Sequence, residues 1–269
     1  MNTNILIKTV CGSVFMLLAS CASDNLIDDQ GNTLPEGKYP LQIGSVTLTA
    51  KVNEQPWTRV SENDDRGSSH WDWNGTEVIG VQIEGSTKSG RYRLMETYTL
   101  SPEIPVYWEN AQAHKVRAWY PADGNVALDN QTTDNGLAYA LYAETTEAVY
   151  YNTEGITLPF NHKLAKVRVK LQGGQADKVT DVEINTYTSC TLQSDGTLTA
   201  GDTEGFIPMV KTTYNGETFW EANVIPVPDH PIELVKVNDK EITLSTFLTP
   251  QSAKVNTITI NVGKADEDY

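Results

Sequence analysis

The side chains able to do chemistry are poorly arranged for catalysis. The four histidines, His70, His114, His162 and His230, include no pair at i, i+4 and have no cysteine at ligand spacing, so the zinc templates fail. The chain has no G-x-S-x-G nucleophile elbow and no phosphate-cradling G-x-x-x-x-G-K-[ST] loop. With Asp+Glu at 35, neighbouring carboxylates are unavoidable, and a pair of them says nothing by itself about glycoside hydrolysis. Asp64-Asp65 and Asp266-Glu267-Asp268 lack the glycine and terminal Glu of a calcium loop and read as solvated turns. The residues predict no enzyme, no catalytic centre, no metal and no cofactor.

Cys21 is better placed for chemistry. The apolar run over residues 9–19 is about a dozen residues long, too short to cross roughly 30 Å of hydrocarbon as a helix. It ends in Leu18-Ala19-Ser20-Cys21, which resembles the lipobox of bacterial lipoproteins, where the signal is cut before the cysteine and the cysteine is acylated with fatty acids such as palmitate. Residues 1–20 then form a signal peptide and residues 21–40 a polar, acidic, lipidated tether. Each buried CH2 of the lipid contributes about 0.8 kcal/mol to anchoring. A plain secretory signal with an incidental cysteine is the alternative. With Cys21 acylated, Cys190 has no disulfide partner; Thr188, Ser189 and Thr191 beside it supply no base, so it reads as a buried small apolar residue.

The tryptophans could stack on sugars or fill a core. Trp119 and Trp220 sit in strand-like runs and read as packing residues, while Trp71 and Trp73 share one face of an extended segment near Asn74-Gly75 and are better suited to exposure.

The elements that must carry these residues are strands. Among 269 residues, 19 Gly and 12 Pro punctuate short segments rich in Thr, Val, Ile and Tyr, and no stretch after the signal sustains a 3.6 period. In residues 46–52, Val46, Leu48, Ala50 and Val52 fall at every second position and define one face of a half-buried strand. Ile258, Ile260 and Val262 alternate in the same way near the other end. Further strands are expected over 77–83, 115–120, 157–171, 179–187, 218–227 and 232–237, with 241–244 closing a hairpin around Asn238-Asp239. The class expected is all-β, with β-sandwiches over residues 41–158 and 159–269 and a seam near residues 155–159. A formal charge of −15 opposes binding to nucleic acid or to an anionic membrane through the protein surface.

The order of these segments resembles the fimbrillin family of type V pilus proteins. The resemblance rests on Thr58-Arg59, then Trp73-Asn74-Gly75 leading into Ile79-Gly80-Val81, then Ala118-Trp119-Tyr120-Pro121. Its most specific element is Phe160-Asn161-His162-Lys163-Leu164-Ala165-Lys166-Val167. It covers roughly residues 41–262 and is weaker in the second half. It implies two tandem transthyretin-like β-sandwiches, attachment to the outer membrane through lipid on Cys21, and a structural role in cell-surface fimbriae or cell adhesion. It also implies an arginine-directed maturation protease that cuts after Arg59, or secondarily Arg66, in an exposed polar loop. The first strand would then leave, and the groove once filled by Val46, Leu48, Ala50 and Val52 would accept a strand from another pilus subunit, in a homo- or hetero-polymer. The segment with Ile258, Ile260 and Val262 could be that donor strand or simply the last strand of its own sheet. The contrasting reading is an anchored lipoprotein of the same fold that binds glycans through exposed aromatics.

Overall fold

A computed structural model describes residues 34–48, 77–95, 99–151, 153–214 and 216–263. The strands of the first part are β1 (Ile43–Leu48), β2 (Val78–Ile83), β3 (Ser89–Leu94), β4 (Leu100–Ile104), β5 (Val116–Tyr120), β6 (Asn125–Ala127), β7 (Leu141–Glu144) and β8 (Ile156–His162). Those that follow are β9 (Ala165–Gln172), β10 (Val182–Tyr187), β11 (Ser189–Leu192), β12 (Leu198–Ala200), β13 (Glu204–Pro208), β14 (Val210–Tyr214), β15 (Glu217–Val224), β16 (Ile232–Val237), β17 (Lys240–Leu248) and β18 (Val255–Asn261). The protein is all-β; among the described residues the helical content is a single 3-10 turn, Ala176–Lys178.

Period-two alternation builds two cores. In β2, Ile79, Val81 and Ile83 point into the first core, which sits under a seven-stranded sheet of order β1-β8-β7-β5-β2-β3-β4. Main-chain bonds between residues 34–41 and 106–109 draw the two edges of this sheet together. The second core lies between the sheets β13-β10-β16-β17 and β14-β15-β9-β18. There Val167 and Val169 of β9 and Ala222 and Val224 of β15 face Val182, Ile184, Val235 and Val237. The β16–β17 hairpin turns at Asn238 and Asp239, with φ of 46° and 67°, the left-handed pair that a two-residue I′ turn requires.

The sheets change over later than the expected seam. β8 runs to His162 within the first sheet and β9 begins at Ala165 in the second, so a boundary after residue 158 cuts through β8. The single strand expected over 157–171 is two strands broken at Lys163 and Leu164. At the break, the Lys163 amide donates to Ala140 O at 2.9 Å and the Ala253 amide to Leu164 O at 2.9 Å. The cores are also tied together. β6 pairs with β11 in a small sheet with β12, and Trp119, Val126, Leu128 and Ala140 pack into the second core.

Candidate functional site

The segment from Leu34 to Leu48 lies on the first core as a long edge piece with two different ladders. Its second half, β1, pairs parallel with β8 in the register Ile43↔Ile156, Val46↔Leu158 and Leu48↔Phe160, with a shift between Ile43 and Ser45. Leu158 and Phe160 are fully buried, and Val46 and Leu48 are partly buried against them. The shift falls where two glycines cross. A Cβ on Gly155, whose φ is +84°, would stand 2.5 Å from Gly44 N, and one on Gly44 would stand 2.8 Å from Glu154 O.

The first half runs antiparallel to the chain after β4. The Leu34 amide donates to Glu109 O at 2.9 Å, Trp108 N–H to Tyr39 O at 2.9 Å, and Leu41 N–H to Val106 O at 2.8 Å. Tyr92, buried on β3, completes this ladder: its hydroxyl donates to Leu41 O at 3.3 Å and accepts from Val106 N–H at 3.1 Å. Burial pushes the Tyr92 phenol above its ordinary range, which keeps the donor proton in place. Leu41 is buried, and Tyr39 meets Tyr151 edge-on at 5.2 Å between ring centroids. At the surface Lys88 Nζ holds Glu36 at 3.0 Å.

The last strand mirrors the first. β18 is also an edge strand, parallel to its neighbour β9, with Ile258↔Val169 and Ile260↔Leu171. Ile260 is buried, as is Val262 just beyond it, and Ile258 is partly buried, all against the second core. The two strands thus flank the β8–β9 crossover, one on each sheet, in the same sense relative to their partners.

The sequence motifs acquire structural reasons at this crossover. Phe160 enters the first core, while Leu164, Ala165 and Val167 enter the second. His162 is buried with its ring centroid 6.0 Å from Tyr139. Lys166 and Arg168, on the other face of β9, meet Glu221 of β15 in a buried cluster, with Lys166 Nζ to Glu221 Oε2 at 3.3 Å. The Arg168 guanidinium also lies 4.8 Å from the centre of the Phe219 ring.

Of the residues singled out from sequence, Cys21, Ala50, Val52, Arg59, Arg66, Trp71 and Trp73 lie outside the described residues. Trp108, Trp119 and Trp220 are buried. Cys190 is buried, and desolvation pushes its thiol up to about 12. Sequence reasoning missed Tyr92, Leu41 and the strip Val106 to Glu109. The available signal was the alternation Gly90, Tyr92, Leu94 in β3, hidden by a glycine and two arginines. Among the described residues no group of three or more His, Cys, Asp or Glu is arranged to hold a metal ion, and no helix is long and apolar enough to cross a membrane.

Comparison with known proteins adds the lineage. A family model described as fimbrillin-like matches residues 58–268. No curated protein sequence matches the chain. Among solved structures, a candidate cell adhesion protein from Bacteroides ovatus superposes with a TM-score of 0.56 at 16% identity, over 83% of this chain and 92% of that one. Another from Bacteroides uniformis gives 0.52 at 18% identity, over 83% and 93%. At these identities the likeness establishes the fold.

Proposed function

The chain belongs to the fimbrillin-like family, and from that premise we propose that this fimbrial or adhesion protein of the cell surface is a structural or accessory subunit of type V fimbriae. It is anchored in the outer membrane through lipid on Cys21, matured by an arginine-directed cut after Arg59, with Arg66 as second choice, and assembled by strand exchange. No step requires catalysis by the chain itself. Loss of residues before the cut removes β1 and the whole Leu34–Leu41 ladder, uncovering Leu158, Phe160, Val106 and Trp108, all buried in the intact protein. At roughly 1.5–3 kcal/mol for each large apolar side chain fully buried, that surface favours recapture of a matching strand.

The observation that carries this reading is the correspondence of the first and last strands. Among the described residues both are edge strands, each held by a parallel ladder to a single neighbour. The apolar spacing of Ile43, Val46, Leu48 and Ala50 recurs in Val255, Ile258, Ile260 and Val262. A parallel edge strand of this spacing suits the β8 rim of a groove in the orientation β1 occupies.

The test is to treat the full-length precursor with an arginine-specific protease and sequence the new N-terminus. The reading expects Val60 at that terminus and a ladder of oligomers. Absence of a cut between residues 57 and 69, together with absence of the ladder, overturns it.

A further inference from the structure

We infer that the groove under the N-terminal segment is a two-part strand acceptor whose upstream part, Val106 to Glu109 with the Tyr92 hydroxyl, favours a strand from a different protein over this chain's own β18. The inference rests on the strand-exchange reading above and names the partner it calls for. That partner is an extended segment of about fifteen residues with a large aliphatic residue two places, and an aromatic four places, before its β8-pairing run.

On the β8 rim β18 repeats the apolar spacing of β1 and differs at one place, where Asn256 would stand for Gly44 and its Cβ would press on Glu154 O. The upstream rim discriminates further. Pairing parallel to β8 fixes the direction of any entering strand, so whatever precedes its first paired residue must lie along Val106 to Glu109. In the intact chain those places hold Tyr39, packed on Tyr151, and Leu41, buried with its carbonyl accepting from Tyr92. When Val255 is set in the place of Ile43, the same places receive Gln251 and Ala253. Alanine leaves the Leu41 site underfilled, and glutamine puts an amide where an aromatic ring packs. In its own fold this stretch is a turn, with Ala253 at φ 56° and the Lys254 amide bonded to Gln251 O, so it must also unwind to lie along the rim. A strand that engages only β8 leaves Val106 O, Trp108 N–H, Glu109 O and the Tyr92 hydroxyl without the partners that residues 34–41 supply.

The experiment uses the full chain with a site for a sequence-specific viral protease inserted after Arg59, so that nicking does not depend on the natural cut. Exchange of the resident segment against fluorescent peptides is followed by anisotropy. Peptide 34–52 is expected to bind the nicked protein about tenfold or more tightly than peptide 246–264, as truncation of buried side chains implies. Tyr39→Gln with Leu41→Ala in peptide 34–52 is expected to remove most of that advantage, the remainder belonging to Gly44 in the place where peptide 246–264 carries Asn256. Tyr92→Phe in the protein should weaken peptide 34–52 and leave a short 43–52 peptide unchanged. Equal binding of 34–52 and 246–264, or indifference to the double substitution, overturns the two-part acceptor while strand exchange stands. Failure of every peptide, 34–52 included, to exchange overturns the strand-exchange reading and this inference with it.

Discussion

Trp119 of β5 lies across the bare backbone of Gly80 in the neighbouring strand β2: a Cβ built on Gly80 would stand 2.2 Å from Cε2 of the indole. The indole N–H donates to Ala122 O at 3.0 Å, which fixes the ring, and the ring belongs to the second core although its strand belongs to the first sheet. The glycine of Ile79-Gly80-Val81 and the tryptophan of Ala118-Trp119-Tyr120-Pro121 are thus two halves of one contact.

Gly80→Ala is therefore expected to destabilise the protein by about 1–3 kcal/mol, because the clash is with a ring held on both sides. Urea denaturation followed by tryptophan fluorescence reads the loss. A stability within 0.5 kcal/mol of the parent would mean that the ring can move aside, contrary to its hydrogen bond and burial.

The strands legible in the sequence are those whose inward residues are uniformly apolar. β2, β5, β10, β15, β16 and β18 announced themselves by alternation, and the I′ turn at Asn238 and Asp239 by its residue types. β3 was hidden because Gly90 and Tyr92 occupy inward positions between arginines, and β4 because Pro102 and Glu103 interrupt it. β6 and β12 are three residues each, too short to show a period. Val46 and Leu48 were readable as one face of a strand. The antiparallel contact of residues 34–41 with residues 106–109 was not, since backbone groups make it and no side-chain pattern reports them. The break between β8 and β9 was hidden for the opposite reason: both strands are apolar and only two residues separate them.

The buried cluster on β9 and β15 gives a second prediction. Glu221→Gln takes the carboxylate from between Lys166 and Arg168, leaving cationic side chains in a desolvated site. The expected loss is about 3–5 kcal/mol. Glu217→Gln, which removes the exposed partner of Lys170 at 2.8 Å, should cost no more than about 1 kcal/mol. Equal effects from the two variants in thermal melts would contradict the burial of the cluster.

Alkaline pH should erode the stability of the protein through two groups whose ionisation the fold opposes. Burial raises the Cys190 thiol to about 12, and burial followed by the nearby Glu144 charge raises the Tyr142 phenol to about 12. In the unfolded chain these groups ionise near about 8.5 and about 10. Both folded values are raised, so the stability they contribute is full below about pH 8.5 and declines as pH climbs toward 12. Chemical denaturation from pH 7 to 11 should show the decline, and Cys190→Ala should move its onset upward toward the tyrosine range. An onset unaffected by that substitution would exclude the thiol as its source.

Tyr92→Phe separates the upstream ladder from the strand β1 in the intact protein. The change keeps the ring in the first core but deletes the bonds to Leu41 O and Val106 N–H. The expected cost is about 1–3 kcal/mol, with the nicked N-terminal segment dissociating faster. Unchanged dissociation would assign its retention to β1 alone.

Amide hydrogen exchange shows whether the N-terminal segment is a removable part of an otherwise complete body. The Trp108 amide donates to Tyr39 O and the Ile156 amide to Gln42 O at 3.0 Å, so both report on whether the segment is seated. Compared before and after cleavage at Arg59 and removal of the released piece, these two amides should lose protection while those of β9 and β15 keep theirs. Protection retained at Trp108 and Ile156, or collapse of protection across both cores, would mean that the segment is not such a part.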